Sequence, residues 1–315
     1  MSLLVTGADG FIGSALGHKI LEDNIKVKGV VQTLTNVSRL PKGIEIVEIN
    51  DISQQADWTQ ALTGVDAVIH LAARVHIIKE SAADPLEAFR KTNVLGTEHF
   101  ARMAAKAGVK RFLFMSSIGV HGEANLGKPF TEKDVPCPVS AYAISKWEAE
   151  QALRKVAENS KMEVIILRSP LVYGPGAPGH FARLVRLVKK GVPLPLGHIK
   201  NLRSFTYLGN LIDAIMTCMR HPKAAGENFL VNDGQDVSTS DLIQMMAIAM
   251  NKKANLFSMH PFILKFLSRI IGKSQELEKL TGTLVVDSSK IRNVLGWKPP
   301  FTMDEGIRES VGRET

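Results

Sequence analysis

Cysteine is nearly absent from this 315-residue chain: Cys137 and Cys218 stand far apart, in no C-x-x-C or metal-ligand spacing. A disulfide framework and a cysteine-ligated zinc site are thereby excluded. Long hydrophobic runs are missing as well; no stretch approaches about 18 uncharged apolar residues, so no membrane-spanning helix is predicted. The opening MSLLVTGADGFIG has neither the basic n-region nor the long apolar h-region of a signal peptide, and cytoplasmic residence is expected. Internal repeats and low-complexity runs are absent, which removes solenoids and linkers. Acidic residues are in deficit, with 31 Asp and Glu against 39 Lys and Arg, a net +8. That balance permits a nucleic-acid, membrane-surface or anionic-metabolite partner. The remainder, 45% hydrophobic and 22% charged, is ordinary globular composition and excludes disorder, collagen and coiled coil. The length exceeds the usual single-core limit of about 250 residues, so a large domain plus a smaller one is expected.

Short β-branched apolar runs punctuate the first half: Leu3–Thr6, Val27–Val31, Glu45–Ile49, Ala67–Leu71, Phe112–Met115 and Val164–Leu167. Most are continuous rather than alternating, as strands covered on both faces are. Helical patterns at 12–22, 55–62, 86–107 and 141–158 lie between them. Repeated βαβ units give an α/β fold, a Rossmann-type doubly wound parallel sheet. Near Pro170 the texture changes to the Gly- and Pro-rich PLVYGPGAPGH, which sets a boundary between residues 1–170 and a smaller, mixed α/β C-terminal domain, 171–315. Part of 204–232 is expected to rejoin the first domain. In 255–272, Phe262, Ile263, Phe266, Leu267, Ile270 and Ile271 recur at helical spacing. That stripe predicts a core or subunit-interface helix, with a membrane-surface helix as the alternative.

The first strand runs into Gly7-Ala8-Asp9-Gly10-Phe11-Ile12-Gly13 and then a helix. Glycines there permit a tight turn and let a pyrophosphate approach the helix N-terminus, which predicts dinucleotide binding. Where an NAD-preferring Rossmann protein carries an acidic residue, this chain has Gln32, with Arg39 near enough in sequence to meet a 2′-phosphate. NAD and NADP both remain open at this point. Asp51 could accept from an adenine amino group or cap a helix. Tyr142 and Lys146, four apart, share one face of a helix. An ammonium beside the phenol would lower its pKa from about 10 and ready it for proton transfer. Ser116 and Ser117 close the fifth run, at the C-terminal strand ends where open α/β sheets bind ligands.

Together with HLAA (70–73), TNVLGT (92–97), SSIGVHG (116–122), AYAISK (141–146), LRSPLVYGPG (167–176), LRSFTYLGNLIDAI (202–215) and DSSKIRNVLGWKP (287–299), the chain resembles the extended short-chain dehydrogenase/reductase family in its nucleotide-sugar epimerase/dehydratase branch. The resemblance implies a catalytic set of Ser117, Tyr142 and Lys146. It implies NAD, with NADP not excluded, on Gly7, Gly10, Phe11, Ile12, Gly13, Gln32, Asp51, Ile52, Leu71, Ala72, Ala73, Lys146 and Pro170. A UDP-sugar would meet Ser117, Tyr142, His180 and Arg203, the last clamping the diphosphate, and a homodimer through long helices is also implied. The acidic pair that dehydratases of this branch carry after the catalytic hydroxyl is replaced by Ile118 and Gly119. Leu171 and His180 stand where relatives carry Asn, and His121 where they carry Tyr. The other histidines have no metal spacing.

The expected activity is therefore hydride transfer at C4 of a UDP-hexose or UDP-N-acetylhexosamine, as a 4-epimerase in polysaccharide precursor synthesis. The alternatives are a 4-ketoreductase of a UDP-4-keto-6-deoxyhexosamine and, further off, a non-catalytic NAD(P)-sensing regulator on the same fold. Positive charge concentrates in 180–223, with Lys or Arg at 183, 186, 189, 190, 200, 203, 220 and 223 against the single acid Asp213. Most of these are expected on a solvent face, with Arg203 toward the ligand. The segment lacks the aromatic interleaving of nucleic-acid sites, so no nucleic-acid partner and no membrane insertion are expected.

Overall fold

The computed structural model describes residues 1–75, 84–125, 127–270 and 274–312. Seven strands form one parallel sheet: β1 Ser2–Thr6, β2 Lys26–Val31, β3 Glu45–Glu48, β4 Ala67–His70, β5 Arg111–Ser117, β6 Glu163–Ser169 and, beyond the intervening β7 Leu171–Tyr173 and β8 Arg203–Tyr207, β9 Asn228–Leu230. Their order is β3-β2-β1-β4-β5-β6-β9. The central strands are buried along almost their whole length, which is why their sequences are apolar without alternation. β7, β8 and β10 Asp236–Val237 make a second, smaller sheet of mixed direction.

The helices are α1 Phe11–Glu22, α2 Thr59–Leu62, α3 Pro85–Phe89, α4 Thr97–Lys106, α5 Ala141–Glu158, α6 His180–Lys189, α7 Leu208–Arg220, α8 Thr239–Ala249, α9 Pro261–Ile270, α10 Ser274–Thr281, α11 Ser289–Leu295 and α12 Met303–Gly312. Local chemistry starts several of them. Ser140 accepts from the Ala143 N–H at 3.3 Å to open α5, and Ser238 with Asp241 forms a reciprocal capping box on α8.

Two core clusters sandwich the large sheet. One joins β1, β4, β5 and β6 side chains to α1, α7 and the C-terminal Ile291, Leu295 and Trp297. The other packs Trp58, Phe100, Phe112 and Phe114 against α4 and α5. A third fills the second sheet with Phe181, Leu184, Phe205 and Met246. Residues 208–230 thus contribute α7 and β9 to the large sheet's layers.

Several expected elements come out differently. β3 stops at Glu48, so Asp51 lies in the following loop. The expected helix 55–62 contracts to the single turn of α2, and its N-cap is Trp58, which leaves Asp51 without a capping role. The 86–107 helix contains a π-helical stretch, Arg90–Gly96, between α3 and α4. Of the apolar stripe on α9, Phe262, Ile263 and Phe266 are exposed rather than in the core, while Leu264 is buried; the side chains of Leu267 and Ile270, and Ile271, lie outside what is described. No helix among the described residues is long and apolar enough to cross a membrane.

Candidate active site

The order reverses beside β1, which has β2 on one side and β4 on the other, and this is where doubly wound sheets bind ligands. At the C-terminal end of β1, Gly7 adopts φ +66°, a conformation that favours glycine. Gly13 is constrained from the other direction, since a Cβ there would lie 2.1 Å from the Gly7 carbonyl oxygen. With Gly10 as N-cap, the turn brings the first N–H groups of α1 to the strand end. Phe11 and Ile12 pack their side chains into the core, so what they offer a ligand is backbone.

Beside this turn is a cavity of about 330 Å³ whose lining includes Gly7, Gln32, Asp51, Ile52, Ala72 and Ala73. Gln32 donates through Nε2 to the Asn50 carbonyl at 3.1 Å, and Asp51 is exposed on the wall. Asp9 and Arg74 share the lining; Arg39 does not, although it is close in sequence. Leu71 turns its side chain into the core and approaches Gly7 only through its backbone. Pro170 is buried between β6 and β7 and lines neither cavity. The cradle fits a dinucleotide: a glycine turn at a helix N-terminus for the diphosphate, and a polar-edged slot for a nucleoside.

A second cavity, about 300 Å³, opens where the large sheet meets the small one. Ser117, Tyr142, His180 and Arg203 all line it, from β5, α5, α6 and β8. Successive strand residues point oppositely. Ser117 reaches the cavity, its Oγ accepting from the Gly119 N–H at 3.1 Å, while Ser116 turns inward and donates to Glu150 at 2.5 Å. Arg203 is half-buried and donates to the Gly282 carbonyl at 3.0 Å; burial lowers its pKa. The other seven basic residues of 180–223 are exposed. A larger depression of about 670 Å³ lies among Lys106, Lys110, Asn159 and Lys161, at the N-terminal strand ends, and holds none of these groups.

Tyr142 and Lys146 do share the inner face of α5, but their electrostatics differ from the expectation. Lys146 is 2% exposed, donates to the Met115 carbonyl at 2.8 Å and sits 4.3 Å from the Phe114 ring centroid and 6.0 Å from that of Tyr142. Loss of water pushes its pKa down to about 7, with Glu150 pulling the other way. The half-buried Tyr142 is pushed up to about 12 by the same cause, not lowered. The ammonium spends its hydrogen bond on the strand, and desolvation dominates both groups.

Three buried arrangements behind the cavity were missed in the sequence. Glu150 is fully buried, bonds Ser116 with one oxygen and pairs with Arg168 at 2.5 Å. Arg168 meets His121 Nε2 at 2.7 Å, and burial and that guanidinium lower the His121 pKa to about 4. A buried arginine in the apolar strand VIILRS is itself a signal that a buried acid must exist. Asn93, on the π-helical stretch, accepts from the Arg74 N–H at 2.8 Å and donates to Ser145 at 3.0 Å, tying the loop after β4 to α5. His70 bridges Thr6 at 2.7 Å and Thr97 at 2.9 Å. Glu123, from the loop after β5, and Lys279, from α10, also line the Tyr142 cavity, and neither belongs to a motif.

The profile of the NAD dependent epimerase/dehydratase family matches residues 3–232. The chain belongs to that family. It is an enzyme of the extended short-chain dehydrogenase/reductase kind, and NAD is the cofactor its glycine turn and slot fit. A UDP-glucose 4-epimerase of Vibrio cholerae is 42% identical over 98% of this chain and 94% of its own length. Among solved structures, a Thermus thermophilus UDP-glucose 4-epimerase in complex with NAD has a TM-score of 0.79 at 25% identity, covering 99% of this chain and 98% of that one. A Bacillus cereus UDP-glucuronic acid 4-epimerase in complex with NAD shares the fold with a TM-score of 0.80 at 23% identity, over the same shares of the two chains.

Proposed function

We propose that this epimerase-family enzyme interconverts the C4 epimers of a UDP-hexose or UDP-N-acetylhexosamine. The observation that carries this reading is the second cavity, which Ser117, Tyr142 and Arg203 line together in a chain that also builds the dinucleotide cradle. Residues 1–170, with part of 204–232, serve as the cofactor half and 171–315 as the sugar-nucleotide half. NAD fits better than NADP, because Gln32 and Asp51 offer hydroxyl partners while Arg39 lies off the cavity lining.

When bound, NAD supplies a carbon that takes a hydride from C4 and returns it. Ser117 orients O4, and Tyr142, as the phenolate, would take the O4 proton as C4 gives up its hydride and return that proton to O4 when the hydride comes back to the opposite face of C4. Lys146, drawn into the protein between strand and phenol, sets the local field and would hold the nicotinamide ribose. Arg203 holds the diphosphate, with His180 at the N-terminus of α6 on the same wall, so binding energy far from C4 positions the sugar. Elimination of water from the sugar has no acid–base pair at 118–119, which are Ile and Gly. Such an activity belongs to sugar-nucleotide supply for polysaccharide assembly in the cytoplasm.

Incubation of the purified enzyme with UDP-glucose or UDP-N-acetylglucosamine, without added reductant, should form the corresponding galacto epimer. Tyr142→Phe should lower turnover by about 10²–10⁴-fold with NAD binding retained. A fully active Tyr142→Phe enzyme would remove Tyr142 from the mechanism. Consumption of external NADH or NADPH by a UDP-4-keto sugar, without epimer formation, would make the enzyme a reductase instead.

A further inference from the structure

Helix α9 carries an apolar face that the described residues leave uncovered. Phe262, Ile263 and Phe266 are 73%, 48% and 57% exposed, and their spacing places them on one side of the helix. Leu264, on the opposite side, is buried in the third core cluster, so the exposed side faces outward. Single exposed apolar residues are ordinary, but three large ones on one short helix mark a contact surface.

Charge selects the partner. From Leu242 to Gln275 the sequence carries Lys252, Lys253, Lys265, Arg269 and Lys273 and no Asp or Glu; acids resume at Glu276. Lys252, Lys253 and Arg269 are exposed, Arg269 on α9 itself one helical turn beyond Phe266, and Lys252 donates to the Lys189 carbonyl at 2.5 Å, which sets the exposed Lys189 and Lys190 beside Lys252. We propose that α9 seats the enzyme on an anionic lipid surface, with Phe262, Ile263 and Phe266 entering the headgroup boundary and the surrounding cations meeting lipid phosphates. Apolar rings bordered by Lys and Arg are the chemistry of interfacial helices. A second copy packed face to face would instead bring like charges together.

The helix is too short to span, so the attachment is peripheral and reversible. α10 packs against α9 and supplies Lys279 and Leu280 to the Tyr142 cavity. A docked enzyme therefore holds its substrate cavity beside the bilayer, whichever sugar nucleotide that cavity takes.

The full-length protein should sediment with vesicles of equal parts phosphatidylcholine and phosphatidylglycerol, and not with phosphatidylcholine alone. Added salt should weaken the association. The double variant Phe262→Asp/Phe266→Asp should lose at least about tenfold in partition. Its thermal midpoint and solution turnover should stay unchanged, because neither side chain touches the cavity. Arg269→Glu should weaken partition about fivefold or more. Absence of binding to the anionic vesicles, or equal binding by the double variant, would overturn the proposal. So would a dimer that the double variant splits into monomers with no vesicle binding in either form, which would make the face a self-association surface.

Discussion

Glu150 has no place among the cavity-lining groups, yet three of the groups around the cavity depend on it. Its carboxylate holds the inward hydroxyl of Ser116, and so the strand end that aims Ser117; it neutralises Arg168; and it supports the charge of Lys146 against burial. Both partners of the Glu150–Arg168 pair are essentially out of water, at 0% and 2% exposure. Removing one charge leaves the other buried and unpaired, which costs about 3–5 kcal/mol, whereas removing both is often close to neutral. Urea unfolding should show Glu150→Gln destabilised by about that amount, and Glu150→Gln/Arg168→Met more stable than the single variant. A double variant whose loss equals the sum of the single losses would show that the two side chains act independently. That Tyr142 and Lys146 share one face of α5 was legible in AYAISK, because their spacing lies within one helix. This network was not, because Ser116, His121, Glu150 and Arg168 meet only through the pairing of β5 with β6 and the packing of α5 across them.

At the level of elements, continuous apolar runs identified the parallel strands because burial on both faces leaves no polar positions to interrupt them. The π-helical stretch inside 86–107 was hidden, since a single wider turn hardly disturbs helical periodicity. The α9 stripe was visible but its environment was not, because the same pattern suits protein core or lipid. His70 shows how elements are fastened behind the glycine turn. Its ring joins Thr6 at the end of β1 to Thr97 at the start of α4, and burial, with the charge of Lys146, lowers its pKa to about 3. The unfolded chain takes up this proton near pH 6.5, while the folded chain resists until about pH 3. Below pH 6.5 the unfolded state therefore binds more protons, and stability falls as pH falls. Above that value the group contributes no pH dependence. His121, lowered to about 4, adds in the same direction. Between pH 6 and 4.5, His70→Gln should remove about 1.4 kcal/mol per pH unit from the slope of unfolding free energy, measured by urea titration at each pH. An unchanged slope would mean that His70 is protonated in the fold.

Across the whole molecule, the C-terminal segment closes the structure by returning to its beginning. Ile291, Leu295 and Trp297 enter the cluster built by β1, α1 and α7, and the Trp297 indole donates to Asp213 at 2.8 Å. Asn232 holds the same segment through the Val286 carbonyl at 2.7 Å and Ser288 at 2.5 Å, and Asn210 bonds both backbone groups of Phe301. The half proposed for the sugar nucleotide is thus stitched to the half proposed for the dinucleotide. Trp297 is 4% exposed in that shared core, so Trp297→Ala leaves a cavity costing about 3–5 kcal/mol. Because Leu16 and Ile20 of α1 lie in the same cluster, the loss should reach the glycine turn at the far end of that helix. Circular dichroism and NAD binding, followed through one urea titration, should move together to lower denaturant in Trp297→Ala. If NAD binding kept its wild-type midpoint while the dichroism split into two steps, the halves would fold separately and the shared core would not couple them.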